Sequence, residues 1–233
     1  GGSVFPNKRI SPSESSGRRT ALAAWITSPQ NAISARVLAN RLWQYHFGTG
    51  LVDSPNDFGR LGTLPSHPEL LDYLARNLIK SDWNIQQIQR EIVSSQTYQQ
   101  SVNHTQHGKA MVIDPDNRWH WHRTIRRLDA EQYRDSLLVA MDALQHQYGG
   151  PSVAGTPSRR SLYLQRKRNS TNEMLNALDV PSGLVGTAKR DVTTTAPQSL
   201  MMMNSPRIIG AANQFSSSVR AKVSHVESSR RGA

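Results

Sequence analysis

Stretches in which apolar residues recur every three or four positions alternate along this chain with stretches broken by Gly, Pro, Ser and Asn. That period is the mark of helices with one buried face. Leu22, Trp25 and Ile26 predict a short helix over 18–27, after which Ser28-Pro29-Gln30-Asn31 forces a turn. With Asn31 as its cap, a second helix is predicted over 32–47 from Ile33, Val37, Leu38, Leu42 and Tyr45, and Gly48 is placed to end it in a left-handed conformation. Ser66 and Glu69 spell a capping box, Pro68 fits the first turn, and Leu70, Leu71, Leu74 and Leu78 supply the stripe of a third helix. Ile85, Ile88 and Ile92 mark a fourth over 84–95. Asp129 and Gln132 box the start of a fifth, with a staple from Leu128 to Tyr133, a stripe continuing through Leu137, Ala140, Met141 and Leu144, and a stop at Gly149-Gly150-Pro151. Short helices follow around 171–178 and 197–203.

Between the second and third helices, Trp43, Tyr45, Phe47 and Phe58 are interleaved with Gly48, Gly50, Gly59 and Gly62. Large rings beside permissive glycines predict an ordered, buried connection rather than a loose loop. The pattern changes at 159–168, RRSLYLQRKR, where Leu162, Tyr163 and Leu164 are the best strand candidate. Thr193-Thr194-Thr195 is a second extended candidate, and the two are compatible with a small ribbon. The fold class is therefore mainly α, a multi-helix globular domain with at most a minor two-stranded β element.

The Pro- and Ser-containing residues 1–17 are expected to be a flexible lead-in, 18–210 a single helical domain, and the Ser- and Arg-rich 211–233 a loosely ordered or truncated tail. The polar stretch 101–117, with its Asp114-Pro115-Asp116-Asn117 turn, is a candidate sub-boundary within that domain. The first residue is not Met, so the chain is expected to be a piece of a longer one. It carries no basic-then-apolar leader and no apolar run of membrane-spanning length.

Charge alters the picture. The chain carries 28 Lys and Arg against 17 Asp and Glu, a formal charge of +11. Such a balance favours contact with nucleic acid, acidic or sulfated polysaccharide or an anionic surface, or else belongs to one basic part of a longer protein. Cysteine is absent, which excludes disulfides, thiolate metal sites, a cysteine nucleophile and a CxxCH haem attachment. There is also no G-x-S-x-G elbow and no phosphate-cradling loop.

The basic residues are the stronger chemical signal. Arg123, Arg126 and Arg127, with Arg118, lie beside Trp119 and Trp121, while Arg159, Arg160, Arg166, Lys167 and Arg168 surround Tyr163. Guanidinium groups interleaved with aromatic rings suit anion pairing combined with stacking on sugars or bases; the alternative is that the arginines pair with neighbouring acids and the tryptophans are core. His120 and His122 would share one side of an extended segment and could chelate a cation with Asp116, although a half-buried edge shows the same alternation. His46, Asp57 and Glu69, near Asp53 and His67, are the weak catalytic candidates, each with a local structural reading: helix dipole for His46, a turn for Asp57, a cap for Glu69.

The runs RVLANRLWQYHFGTGLVDSPNDFG, PSHPELLDYLA, IVSSQTYQQS, RRLDAEQYRDSLL, RRSLY and TTTAPQSLMMMN, in this order over 18–204, resemble the planctomycete-type domain of unknown function found towards the C-terminus of large secreted proteins. Its relatives often carry an upstream cytochrome-c-like domain and a second uncharacterised one. The resemblance implies an extracytoplasmic setting, upstream domains of the parent chain as partners, and haem only in that upstream region; it supplies no reaction. Relatives often have a cysteine before the basic residues that precede the TTTAPQ-like segment. Here 187–190 reads TAKR, and the residues after Ile209 resemble the family poorly. The function these readings favour is a non-catalytic accessory domain with no cofactor of its own and a basic surface for an anionic partner. The alternatives are a part of a hydrolytic or redox enzyme acting on complex carbohydrate, with a site shared with upstream domains, and a nucleic-acid-binding module.

Overall fold

The computed structural model describes residues 17–155, 157–167, 172–183 and 186–231, with side chains as far as residue 224. The lead-in expected at 1–16 and the basic residue Arg168 lie outside the described residues. The protein is mainly helical and contains no sheet among the described residues. It divides into two compact units, Gly1–Arg126 and Arg127–Ala233, so the division falls beyond the polar 101–117 stretch.

The first unit contains α1 (Arg18–Ile26), α2 (Ala32–Phe47), α3 (Pro68–Lys80), α4 (Ile85–Ser94) and α5 (His107–Ile113). Helix α2 begins where Asn31 accepts a hydrogen bond from the Ser34 amide, and it ends at Gly48, whose φ of 91° an L residue rarely adopts. Its buried face is Ala35, Ala39, Leu42 and Trp43. The expected stripe is only partly right, since Ile33 and Tyr45 stand in solvent. Small residues at 35 and 39 leave room for α3 to pack against this face, which shifts the buried stripe away from the bulkier positions. Leu71, Leu74 and Leu78 of α3 and Ile88 and Ile92 of α4 complete the core, with Phe47, Phe58 and Tyr98 packed at its edge. Each fully buried Leu or Ile side chain contributes roughly 1.5–3 kcal/mol.

The capping box expected at α3 is absent. The Ser66 amide and hydroxyl both donate to Leu51 O, at 2.8 and 3.3 Å, so His67 takes the cap position and Glu69 is exposed. Leu51 and Val52 are the buried heart of the glycine-rich connection. They are held by Asn40 of α2, fully buried, which accepts from Val52 N at 2.8 Å and donates to Val52 O at 3.0 Å. Gly50 permits this approach, because a Cβ there would lie 2.7 Å from the Asn40 amide. The stretch expected to be a polar loop contains α5, none of whose residues is buried.

The second unit contains α6 (Ala130–Ala140), a 3-10 turn (Ser161–Tyr163), α7 (Glu173–Ala177), α8 (Ala196–Asn204) and α9 (Pro206–Arg231). Capping boxes open α6, from Asp129 and Gln132, and α8, from Thr195 and Gln198. The stripe expected to continue to Leu144 is cut short, as α6 ends at Ala140 and Asp142 takes a left-handed φ of 56°. The strand expected at 159–168 is instead the 3-10 turn, flanked by isolated bridges from Gln145 to Arg159 and from Val153 to Leu164. Its backbone groups are taken by side chains and single bridge partners, leaving no ladder to extend.

The interior of this unit is unusually polar. Ala130, Met174, Leu175 and Leu178 form its apolar core, with Tyr133, Leu137 and Leu164 against it. Arg134, Arg159, Ser161 and Gln198 are buried with them.

Candidate functional site

Of the described arginines proposed from the sequence, Arg159 is buried and Arg123 and Arg127 are half-buried, while Arg118, Arg126, Arg160 and Arg166 are exposed. In the first unit, Arg123 lies over the Tyr98 ring at 4.0 Å and donates to His46 O at 3.2 Å, while Arg126 donates to Tyr45 O at 3.1 Å. Both therefore place a cation on the last carbonyls of α2, where the helix dipole favours it. His46 itself keeps Nδ1 2.7 Å from Leu42 O in its own helix. Asp57 accepts from the Gly59 amide in a local turn, and among the described residues no hydrogen bond joins His46, Asp57 and Glu69.

In the second unit, Arg127 donates to Asp179 Oδ2 at 2.6 Å, to Gln198 Oε1 at 3.1 Å and to the carbonyls of Leu178 and Thr193. The Asp179 carboxylate also accepts from the Thr193 amide and hydroxyl, each at 2.8 Å. The Thr193 amide first and the Arg127 guanidinium next hold its pKa down to about 2. Arg159 is only 5% exposed, lies over the Tyr163 ring at 4.1 Å and donates to the carbonyls of Gln147, Gly149 and Pro151. Arg159 is thus not a surface cation, and the face of Tyr163 is covered by it. Among the described residues of the segment, the exposed cations are Arg160, Arg166 and Lys167.

Arg160 and Arg166, but not Lys167, border a groove of about 790 Å³ between α6 and the 3-10 turn. Its floor is apolar, from Val139, Ala140, Leu144 and Leu164, and its rim carries Arg160, Arg166 and Arg190 with Asp129, Glu131 and Asp135. Arg190 is committed to Glu131 through two hydrogen bonds of 2.6 and 3.2 Å. Burial works to raise the Glu131 pKa, but the bonds from Arg190 outweigh it and leave the carboxyl below its ordinary value. Asp135 Oδ1 accepts from the Ser161 amide at 2.8 Å and from its hydroxyl at 2.7 Å, and Arg134 donates to Arg159 O and Ser161 Oγ. Burial pushes the Arg134 pKa down while Asp135 works against that. Arg160 is different: its Nε lies 3.7 Å from Asp135 Oδ2 and its side chain is 51% exposed. Arg166 donates to Pro181 O.

The Trp119-His120-Trp121-His122 segment is not extended, because His120 has a left-handed φ of 53°. The two imidazoles therefore do not share a side in the way alternation predicts. His122 packs on Trp121 at 4.1 Å, and His120 lies 5.3 Å from Trp43, 4.9 Å from Phe47 and 6.0 Å from His67 between ring centroids. Burial first, and the charge of His67 next, lower the His120 pKa to about 4, so its ring is neutral at pH 7. Among the described residues, no group of three or more His, Asp and Glu is arranged to hold a metal ion. Trp119 is 65% exposed, whereas Trp121 donates its indole N–H to Asp114 O at 2.9 Å.

Asp114 and Asn117 were legible only as turn residues, yet they build this loop. Asp114 accepts from the amides of Arg118 and Trp119, at 2.9 and 2.8 Å, and Asn117 donates to His122 O at 2.9 Å. Arg134, Asp135, Asp179 and Arg190 gave no sequence signal of their own, since each is a single charge whose partner lies 14 or more positions away, apart from the adjacent Arg134 and Asp135 pair.

The class of protein so defined is a helical one in which Arg134 and Arg159 brace the interior of the second unit and Arg160 and Arg166 leave a short basic edge beside a groove. By sequence it belongs to the family described as PSD1, protein of unknown function (DUF1553), whose model matches residues 18–231. No curated protein and no solved structure matches the chain. Among the described residues no helix is long and apolar enough to cross a membrane.

Proposed function

We propose that this chain is a non-catalytic accessory domain of an extracytoplasmic multidomain protein, and that the edge formed by Arg160, Arg166 and Lys167 binds an acidic or sulfated polysaccharide. The observation that carries the reading is the contrast within one basic segment. Arg159 is buried against carbonyls, while Arg160, Arg166 and Lys167 stand in solvent, the first two on the rim of a groove with an apolar floor. Exposed guanidinium groups match sulfate and carboxylate oxygens, and the apolar floor suits the carbon faces of sugar rings. The resemblance noted above supports the extracytoplasmic setting and an upstream haem-bearing neighbour; no haem is assigned to this chain.

The test is retention of the full chain on immobilised heparin. Replacing Arg160, Arg166 and Lys167 together by Gln should lower the salt needed for elution clearly more than replacing Lys80, Arg90 and Lys109, three exposed cations of the first unit, by Gln. Equal losses from the two triple variants would mean that net charge alone governs retention and would reject the edge. Heparin recovered from the column should be unchanged in length, and shortening would reject the non-catalytic reading.

A further inference from the structure

The cavity beside His120 in the first unit plays no part in the reading above. It has a volume of about 380 Å³, within the range of small-molecule sites, and it adjoins a smaller one of about 30 Å³ through the shared residues Thr49, Asp116, Asn117 and His120. We propose that this cavity binds a neutral, polyhydroxylated ligand of the size of one sugar residue.

Three observations carry the assignment. First, the wall offers groups that hydroxyls satisfy: Asp53 and Asp116 accept, Arg118 donates, Thr49 does either, and Leu51 and Leu64 supply apolar contact. A neutral His120 ring adds one donor and one acceptor. Secondly, the charges argue against ionic ligands. Two carboxylates and an uncharged imidazole oppose an anion, while Arg118 on the same wall and the lack of a three-ligand cluster among the described residues oppose a metal cation. A ligand with many hydroxyls and no charge remains. Thirdly, the loop holding His120 is built at a cost. Asn117 and His120 both have left-handed φ values, 50° and 53°, and such residues persist only where surrounding contacts over-determine them. Here those contacts are the Asp114 and Asn117 hydrogen bonds, which hold His120 at the cavity wall. Against its ring lies Trp43, 4% exposed, whose indole Nε1 is buried and lacks a hydrogen-bond partner among the described residues.

The experiment is a nitrogen-15 NMR titration of the full chain with D-glucose, D-galactose and D-mannose, with sodium sulfate and zinc chloride as the ionic comparisons. At least one hexose should move the His120 imidazole and Asn117 side-chain amide signals saturably, with half-saturation on the order of millimolar, the range open to so small a ligand. Asp116→Asn, a change at an exposed position, should weaken that binding about tenfold or more, equivalent to about 1.4 kcal/mol, without altering thermal unfolding. No saturable shift with any hexose, unchanged binding by the Asp116→Asn chain, or saturation by sulfate or zinc in place of the hexoses would each overturn the assignment. The heparin result does not bear on it, because Arg160, Arg166 and Lys167 lie in the other unit.

Discussion

Replacing Asn40 by Ala removes the two hydrogen bonds that pin the glycine-rich connection to α2. Both partners are backbone groups of Val52, which is 2% exposed, so neither its N–H nor its C=O regains water easily. A buried group left unsatisfied costs about 1–3 kcal/mol, and two of them give about 2–6 kcal/mol. That is a large share of a domain's usual stability. Asn40→Asp supplies a sharper comparison. A carboxylate keeps the acceptor for Val52 N–H but turns an acceptor toward Val52 O, whereas a protonated carboxyl can donate there. Burial therefore raises the folded-state pKa of the introduced group above its unfolded value of about 4. The deficit of this variant relative to the wild type should be smallest below about pH 4 and grow as pH rises, so that at pH 7 it is less stable than the Asn40→Ala chain. All five tryptophans, Trp25, Trp43, Trp83, Trp119 and Trp121, lie in the first unit, so urea unfolding followed by tryptophan fluorescence reports on that unit alone. An Asn40→Ala chain within about 0.5 kcal/mol of the wild type, or an Asn40→Asp chain whose deficit is flat between about pH 3 and 7, would refute the reasoning.

Acid should weaken the first unit through His120. Its folded pKa of about 4 lies below the ordinary 6.5, so the unfolded chain binds the proton more readily and stability falls as pH drops through that window. His120→Gln should flatten the fluorescence-detected slope; an unchanged slope would exclude His120 as the source. In the second unit, Asp179→Asn should lower the thermal stability seen by circular dichroism while leaving the tryptophan-detected transition in place. Because the Asp179 pKa is held at about 2, its contribution is present above about 3.8 and is lost as pH falls from there toward 2, a loss the variant should not show. Arg134→Met should destabilise the same unit by about 3 kcal/mol or more, since it strips partners from Ser161 Oγ and Arg159 O in the interior, and a neutral result by the same assay would contradict the bracing role.

The helices were legible where period and cap agreed. Asn31 and Asp129 each stand at a helix start that the sequence alone marks, and the Leu71, Leu74 and Leu78 face follows from spacing. Ser66 misled because a residue of cap type also serves as a donor, and the competing acceptor, Leu51 O, is 15 positions away. The RRSLYL segment misled for a related reason: a short apolar run shows how much of it is covered, not whether a neighbouring strand or a set of side chains takes up its backbone groups. The site was legible in composition and illegible in direction. Nothing in RRSLYLQRKR distinguishes Arg159, buried over Tyr163, from Arg160, half in water, because the difference is set by carbonyls at 147, 149 and 151.

A guanidinium turned toward carbonyls has lost none of its charge. Arg123 and Arg159 are turned toward carbonyls and rings in this way, so their field still reaches solvent while their donors are largely withheld from it. A passing polyanion is therefore drawn in by more cations than can grip it. Ionic strength should govern how fast such a molecule arrives, and the few free side chains how long it stays.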